Sequence, residues 1–152
     1  RMTKKILKGL KYDNKTIKDI SLLVEQHLRP HTFKMGWTDS AVRRYIVDAG
    51  HMLEDLNQLV RADVTTKNKT KAKEIYDNLD EMEKRIEEVK AKEELSKIRP
   101  ALSGDEIMKH FNIQPGPKVG VIMKALYEQR INDGEVSKEE ALQLAEETFK
   151  NL

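Results

Sequence analysis

From about Lys67 to Ile98 the chain contains neither Gly nor Pro. Along it Ala72, Ile75, Leu79, Met82, Ile86 and Val89 recur in alternating steps of three and four residues. That stripe follows one side of a helix and does not fit a strand, whose inward residues recur at every second position. One long amphipathic helix is therefore expected over residues 67–98, lying along its own domain. The same stepping is the coiled-coil pattern, so dimerisation through residues 72–89 is the less favoured alternative.

The rest of the chain is expected to be helical as well. Ile17, Ile20, Leu23, Val24 and His27 repeat at helical spacing and stop before Pro30. Residues 30–37 read as a loop. Thr38 is placed to cap the next helix, with Trp37 and Val42 closing over it as a hydrophobic staple, and Gly50 ends that helix. A third helix over roughly 51–65 carries Leu53, Leu56, Leu59, Val60 and Val64 on one side. No segment alternates apolar and polar residues over a strand's length. The expected fold is all-α: a helical array with one long helix, followed by a small three-helix tail.

That tail is clearly punctuated. Pro100 ends the long element, and a domain boundary is expected near Arg99-Pro100. Ser103-Gly104-Asp105-Glu106 and Ser137-Lys138-Glu139-Glu140 are capping boxes, with Leu102 and Ile107 placed as the staple of the first. Between them, Gln114-Pro115-Gly116-Pro117-Lys118-Val119-Gly120 reads as a rigid turn and a helix start. Pro117 suits the first helical position, where its missing N–H costs nothing. Lys118 and the amides near Val119 form a candidate anion site. Gly120 would let another backbone or a phosphate come close.

A net charge of +2 conceals strong segregation. Residues 1–60 carry a balance of +4, and residues 61–73 carry another +4 in far less chain. Residues 74–98 reverse to −4, and residues 135–152 to −3. A basic first half with a lysine-dense joint suggests a local surface for a polyanion. No apolar run is long enough to cross a bilayer. The absence of cysteine excludes disulfides and thiolate metal sites and fits a cytoplasmic location. The chain opens Arg1-Met2-Thr3-Lys4-Lys5, already helical in character, and is expected to be a fragment of something longer.

No constellation for catalysis is legible. Nucleotidyl transfer needs carboxylates converging on a metal, usually as Asp-x-Asp after a Gly-rich turn, and that pattern does not occur. Asp77 and Asp80 read as solvated positions on the long helix. His27 and His31 have ligand spacing, but Pro30 interrupts the helix between them. His51 and His110 have no obvious partners. Asp63 is expected to pair with Arg61 or Lys67, or to cap the next helix.

The basic joint, Arg61 to Lys71, offers more. Lysines interleaved with Thr and Asn are the groups that contact phosphates and sugars without reading bases. Arg43 and Arg44 add cations on a neighbouring helix. Aromatic residues are only 5% of the chain, which argues against base stacking and for recognition of a folded RNA or duplex by shape and backbone.

Two stretches resemble one family. Trp37-Thr38-Asp39-Ser40-Ala41-Val42-Arg43-Arg44-Tyr45, followed by Leu59-Val60-Arg61-Ala62-Asp63-Val64-Thr65-Thr66-Lys67-Asn68, is similar to the later part of bacterial CCA-adding tRNA nucleotidyltransferases, which are related to poly(A) polymerases. Arg99-Pro100-Ala101-Leu102-Ser103-Gly104-Asp105-Glu106-Ile107-Met108 and the Pro115–Gly120 turn resemble their RNA-binding tail. The region Leu23 to Pro30 also looks like the end of an HD-type phosphohydrolase domain. In that pattern His27 and Asp63 would match late metal positions, but the defining His-Asp pair is missing, so no complete metal site is expected.

The resemblance implies three parts: residues 1–66 as the end of an HD-like domain, 67–98 as a connecting helix, and 99–152 as an RNA-binding tail. It implies tRNA as partner, and a parent enzyme that adds CCA to tRNA 3′ ends. The catalytic head, with its Mg²⁺ and CTP or ATP, would lie upstream, leaving this portion without catalytic residues or cofactor of its own. Charge and helix-end geometry select Arg43, Arg44, Lys67, Asn68, Lys69 and Lys71 as phosphate contacts, with Lys118 and the Val119 amide as a second point. A fragment of an HD-type metal-dependent phosphohydrolase, a poly(A) polymerase and a purely structural helical module are the alternatives.

Overall fold

The computed structural model describes residues 2–92 and 99–152. Eight α-helices follow one another among them, with no strand: α1 (Met2–Gly9), α2 (Asn14–Gln26), α3 (Asp39–Ala49), α4 (Leu53–Ala62), α5 (Lys69–Lys92), α6 (Gly104–Phe111), α7 (Pro117–Asp133) and α8 (Lys138–Lys150). Their starts follow from side chains that complete the first-turn N–H groups. Asp13 Oδ1 accepts from the Lys15 and Thr16 amides, and Thr38 Oγ1 from the Ala41 amide. Both expected capping boxes form, Ser103 with Glu106 and Ser137 with Glu140. Pro117 opens α7, behind Gly116 in extended backbone.

The first core is built by α3, α4 and α5. Val42, Tyr45, Leu56, Val60 and Met82 are fully enclosed, and Leu79, Ile86 and Val89 nearly so. The stripe that defines the long helix is therefore consumed inside the chain's own core. Tyr45 can be buried because its hydroxyl donates to Asn57 Oδ1 at 2.8 Å, and the same burial pushes its phenol pKa well up. Trp37 packs against this core, tilted on Tyr45 and edge-on to Phe33, with its indole N–H donating to Thr32 Oγ1. A second core joins α6, α7 and α8 through Leu102, Ile107, Ile122, Leu126, Ala141 and Ala145. α7 also packs on α3, so the tail helices and the first core are in contact.

Three boundaries differ from the sequence reading. Residues 30–37, read as a loop, contain a 3-10 helix at Arg29–Met35. Pro30 fixes φ at its start, and Gly36, at φ 85°, ends it in a left-handed conformation that favours glycine. The helix expected over 51–65 is a single 3-10 turn at Gly50–Met52 followed by the shorter α4. The long helix begins at Lys69 because Asn68 caps it, accepting the Lys71 amide on Oδ1 at 3.1 Å. Its expected continuation to Ile98 falls largely on residues 93–98, outside the described residues.

Candidate nucleic-acid interface

The α4–α5 joint concentrates cations at the end of a helix that disfavours them. α5 runs for 24 residues and has no acidic residue in its first turn. Lys69 and Lys71 stand there instead, with Lys67 just before, all exposed. Unpaired N–H groups give a helix N-terminus a positive partial charge, so cations at that end oppose the dipole while an anion is stabilised. None of these three lysines makes an ion pair among the described residues, whereas Lys73, one turn on, pairs with Asp77 at 2.7 Å. Lys69 and Lys71 thus break a local rule twice on an exposed surface, and an anion placed there would relieve the repulsion.

The remaining groups of the joint are committed to structure. Arg61 clamps α4 to α5: Nε and Nη2 donate to the two Glu83 carboxylate oxygens at 3.0 and 2.7 Å, and Nη2 also reaches Asp80. Those carboxylates raise the guanidinium pKa still further, so Arg61 is permanently charged and already neutralised. Asp80 and Asp77, expected to be solvated, are largely exposed, and each also takes an ion pair, Asp80 with Arg61 and Asp77 with Lys73. Asp63 is the C-terminal cap of α4, its amide donating to Leu59 O. Asn68, selected for phosphate contact, has its side-chain oxygen occupied by the α5 cap.

Arg43 and Arg44 also lie elsewhere than on an open basic face. Arg43 is 8% exposed, with its guanidinium against the C-terminal end of α7. Arg44 pairs with Glu128 of α7, which holds that carboxyl below its ordinary range. Both arginines belong to the α3–α7 contact.

At the second expected point, Lys118 is exposed, and its ammonium lies 5.5 Å over the Phe149 ring, which stacks on Phe111. Val119 is half-buried against the tail core. Gly116 offers no side-chain cap to α7, and a Cβ at Gly120 would meet nothing within 4 Å. Among the described residues, nothing outside α7 itself comes close to Gly120, so the first turn of α7 is open on that side.

The histidines are accounted for locally. His27 caps α2 and its Nδ1 donates to Val24 O at 2.7 Å. His51 meets Asp19, and His110 meets Glu146, contacts that sequence spacing did not reveal. Among the described residues, no group of three or more His, Cys, Asp or Glu side chains is gathered as a metal requires. The described residues thus do not gather a Mg²⁺ site for nucleotidyl transfer. No described helix is long and apolar enough to cross a membrane.

Sequence reasoning also missed a cavity of about 410 Å³ between the 3-10 helix and α5, edged by Phe33, Lys34, Trp37, Lys84 and Arg85. Its most enclosed cation, Arg85, is spent on Asp39 and Glu88. Its aromatic lining could not be foreseen without the 3-10 helix.

An all-α chain with a cationic helix joint and a capped three-helix tail defines a class that comparison makes specific. Residues 1–145 match the tRNA nucleotidyltransferase domain 2 family, and the chain belongs to it. It is 31% identical over 132 residues to the CC-adding tRNA nucleotidyltransferase of Thermus thermophilus, covering 87% of this chain and 28% of that protein. It is 28% identical over 131 residues to the A-adding tRNA nucleotidyltransferase of Deinococcus radiodurans, covering 85% of this chain and 29% of that protein. The chain thus spans less than a third of the length of these curated relatives. No solved structure matches it.

Proposed function

We propose that this chain holds tRNA by its phosphate backbone on behalf of a tRNA nucleotidyltransferase that extends tRNA 3′ ends with C or A. The observation that carries the reading is the cluster of lysines, Lys67, Lys69 and Lys71, unpaired among the described residues, at the positive end of α5. Phosphates placed there gain both the lysine charges and the helix-end N–H groups. The open first turn of α7, with Lys118, is the second contact. Arg43 leaves the contact set, because its guanidinium is buried against the end of α7. Asn68 keeps its place through its side-chain NH2, since only its oxygen is used to cap α5.

In this reading the chain contributes grip and orientation. A separate catalytic part supplies the metal, the CTP or ATP, and the choice between them. Holding the acceptor end in place converts a bimolecular encounter into a positioned one, where much of an enzyme's advantage lies. The name A-adding on one relative and CC-adding on the other fits a shared RNA-holding region behind different nucleotide choices.

Fluorescence anisotropy with labelled tRNA tests this. The chain is expected to bind tRNA, and a single-stranded polyadenylate competitor to displace it poorly, since stacking platforms are scarce. Equal competition by polyadenylate and by unlabelled tRNA would refute recognition of a folded backbone.

A further inference from the structure

Arg43 was read from sequence as a phosphate contact, yet it reaches across to a residue 88 positions away. Its Nη1 donates to Ile131 O and Asn132 O, both at 3.1 Å, in the last turn of α7. Carbonyls there have no intrahelical partner and form the negative end of the helix dipole, so a guanidinium matches them in hydrogen bonding and in charge. On the preceding turn of α7, the adjacent Arg44 holds Glu128. Two consecutive arginines of α3 therefore grip one end of α7.

The opposite end of α7 carries Lys118 and the open first turn. With 17 residues, α7 is about 25 Å long at 1.5 Å per residue. A tilt of about 10° at the gripped end would swing that first turn by about 4 Å, far beyond hydrogen-bond tolerance. A buried guanidinium is also an expensive way to fill space, and an apolar side chain of similar volume would pack as well. What arginine adds here is a fixed orientation of α7 on α3.

We infer that Arg43 is a positioning residue for RNA: it fixes the first turn of α7 relative to the lysine joint, so that one RNA engages both as a bivalent surface. The inference rests on the proposed RNA-holding function. Two weak contacts held at matching spacing act at high effective concentration, and a loosened spacing forfeits that gain.

The chain has no cysteine, so paired spin labels can be placed cleanly at two exposed positions, Thr70→Cys on α5 and Val121→Cys on α7. Pulsed electron resonance is expected to give one narrow distance distribution in that background. Arg43→Met should broaden it or shift it by about 4 Å, with circular dichroism confirming retained helicity. Arg43→Lys, which keeps a cation for the same carbonyls, should restore most of the narrow distribution. In unlabelled protein, Arg43→Met should weaken tRNA binding about tenfold, and this loss should shrink markedly in a Lys118→Ala background. An unchanged distance distribution in Arg43→Met, or additive effects of Arg43→Met and Lys118→Ala on affinity, would overturn the positioning role. A broadened distribution, with tRNA affinity unchanged by Lys67→Ala/Lys69→Ala/Lys71→Ala, would overturn the RNA-holding reading while leaving Arg43 as an α3–α7 lock.

Discussion

Arg61→Met separates a cation that builds the joint from cations that use it. The methionine keeps the apolar stem of Arg61 and removes three donor contacts, two to Glu83 and one to Asp80. Hydrogen bonds to charged groups contribute about 1.5–3 kcal/mol each when enclosed. Here the arginine side chain is 31% exposed, Glu83 34% and Asp80 66%, so solvent screens the pair and the Asp80 contact adds little. The expected cost is about 1–2 kcal/mol, or a Tm lowered by about 3–6 °C in a chain of this size. Thermal and urea unfolding measure it, and a double-mutant cycle with Glu83→Gln should recover a coupling of about 1 kcal/mol. High salt should reduce part of that coupling. The salt slope of tRNA binding should stay unchanged, since Arg61 is already neutralised within the fold. A neutral Arg61→Met, or a zero coupling with Glu83, would refute the view that this clamp holds α4 against α5.

Two further outcomes follow from the cores and caps. Leu79 is 2% exposed within the α3–α4–α5 core, so Leu79→Ala should cost about 2–5 kcal/mol in urea unfolding, and Leu79→Glu considerably more. Glu106 accepts from Lys138, the Ser103 amide and the Ser103 hydroxyl, contacts that hold its carboxyl down to about 2, well below the ordinary 4.5 of a glutamate. With the folded value below the unfolded one, its stabilising contribution is complete above about pH 5 and is lost as pH falls toward 2. Glu106→Gln should flatten that acid limb of Tm against pH and leave a lower plateau at neutral pH.

What was legible in the sequence was local. Thr38, Ser103 and Ser137 cap helices within three residues of themselves, and the Leu79–Val89 stripe declares its buried side by spacing alone. The 3-10 helix at Arg29–Met35 was not legible, because a segment bounded by Pro and Gly without periodicity reads as a loop. The site was legible as a charge pattern but not as a division of labour. Lysines at 67, 69 and 71 and arginines at 43 and 44 look alike in composition. Only tertiary packing shows that Arg43 faces carbonyls of α7 and that Arg44 faces Glu128, contacts spanning more than eighty residues. Lys118 likewise gains its aromatic support from Phe149, beyond any local signal.

Lys67, Lys69 and Lys71, which make no ion pair among the described residues, are proposed to hold RNA phosphates at the start of α5. The most direct measurement is the salt dependence of tRNA affinity for the chain and for Lys67→Ala/Lys69→Ala/Lys71→Ala. Each phosphate contact on duplex contributes a slope of about 0.9 in log K against log salt, so losing three should flatten the plot by about 2–3 and weaken binding at low salt. Parallel plots with equal affinities would contradict the claim.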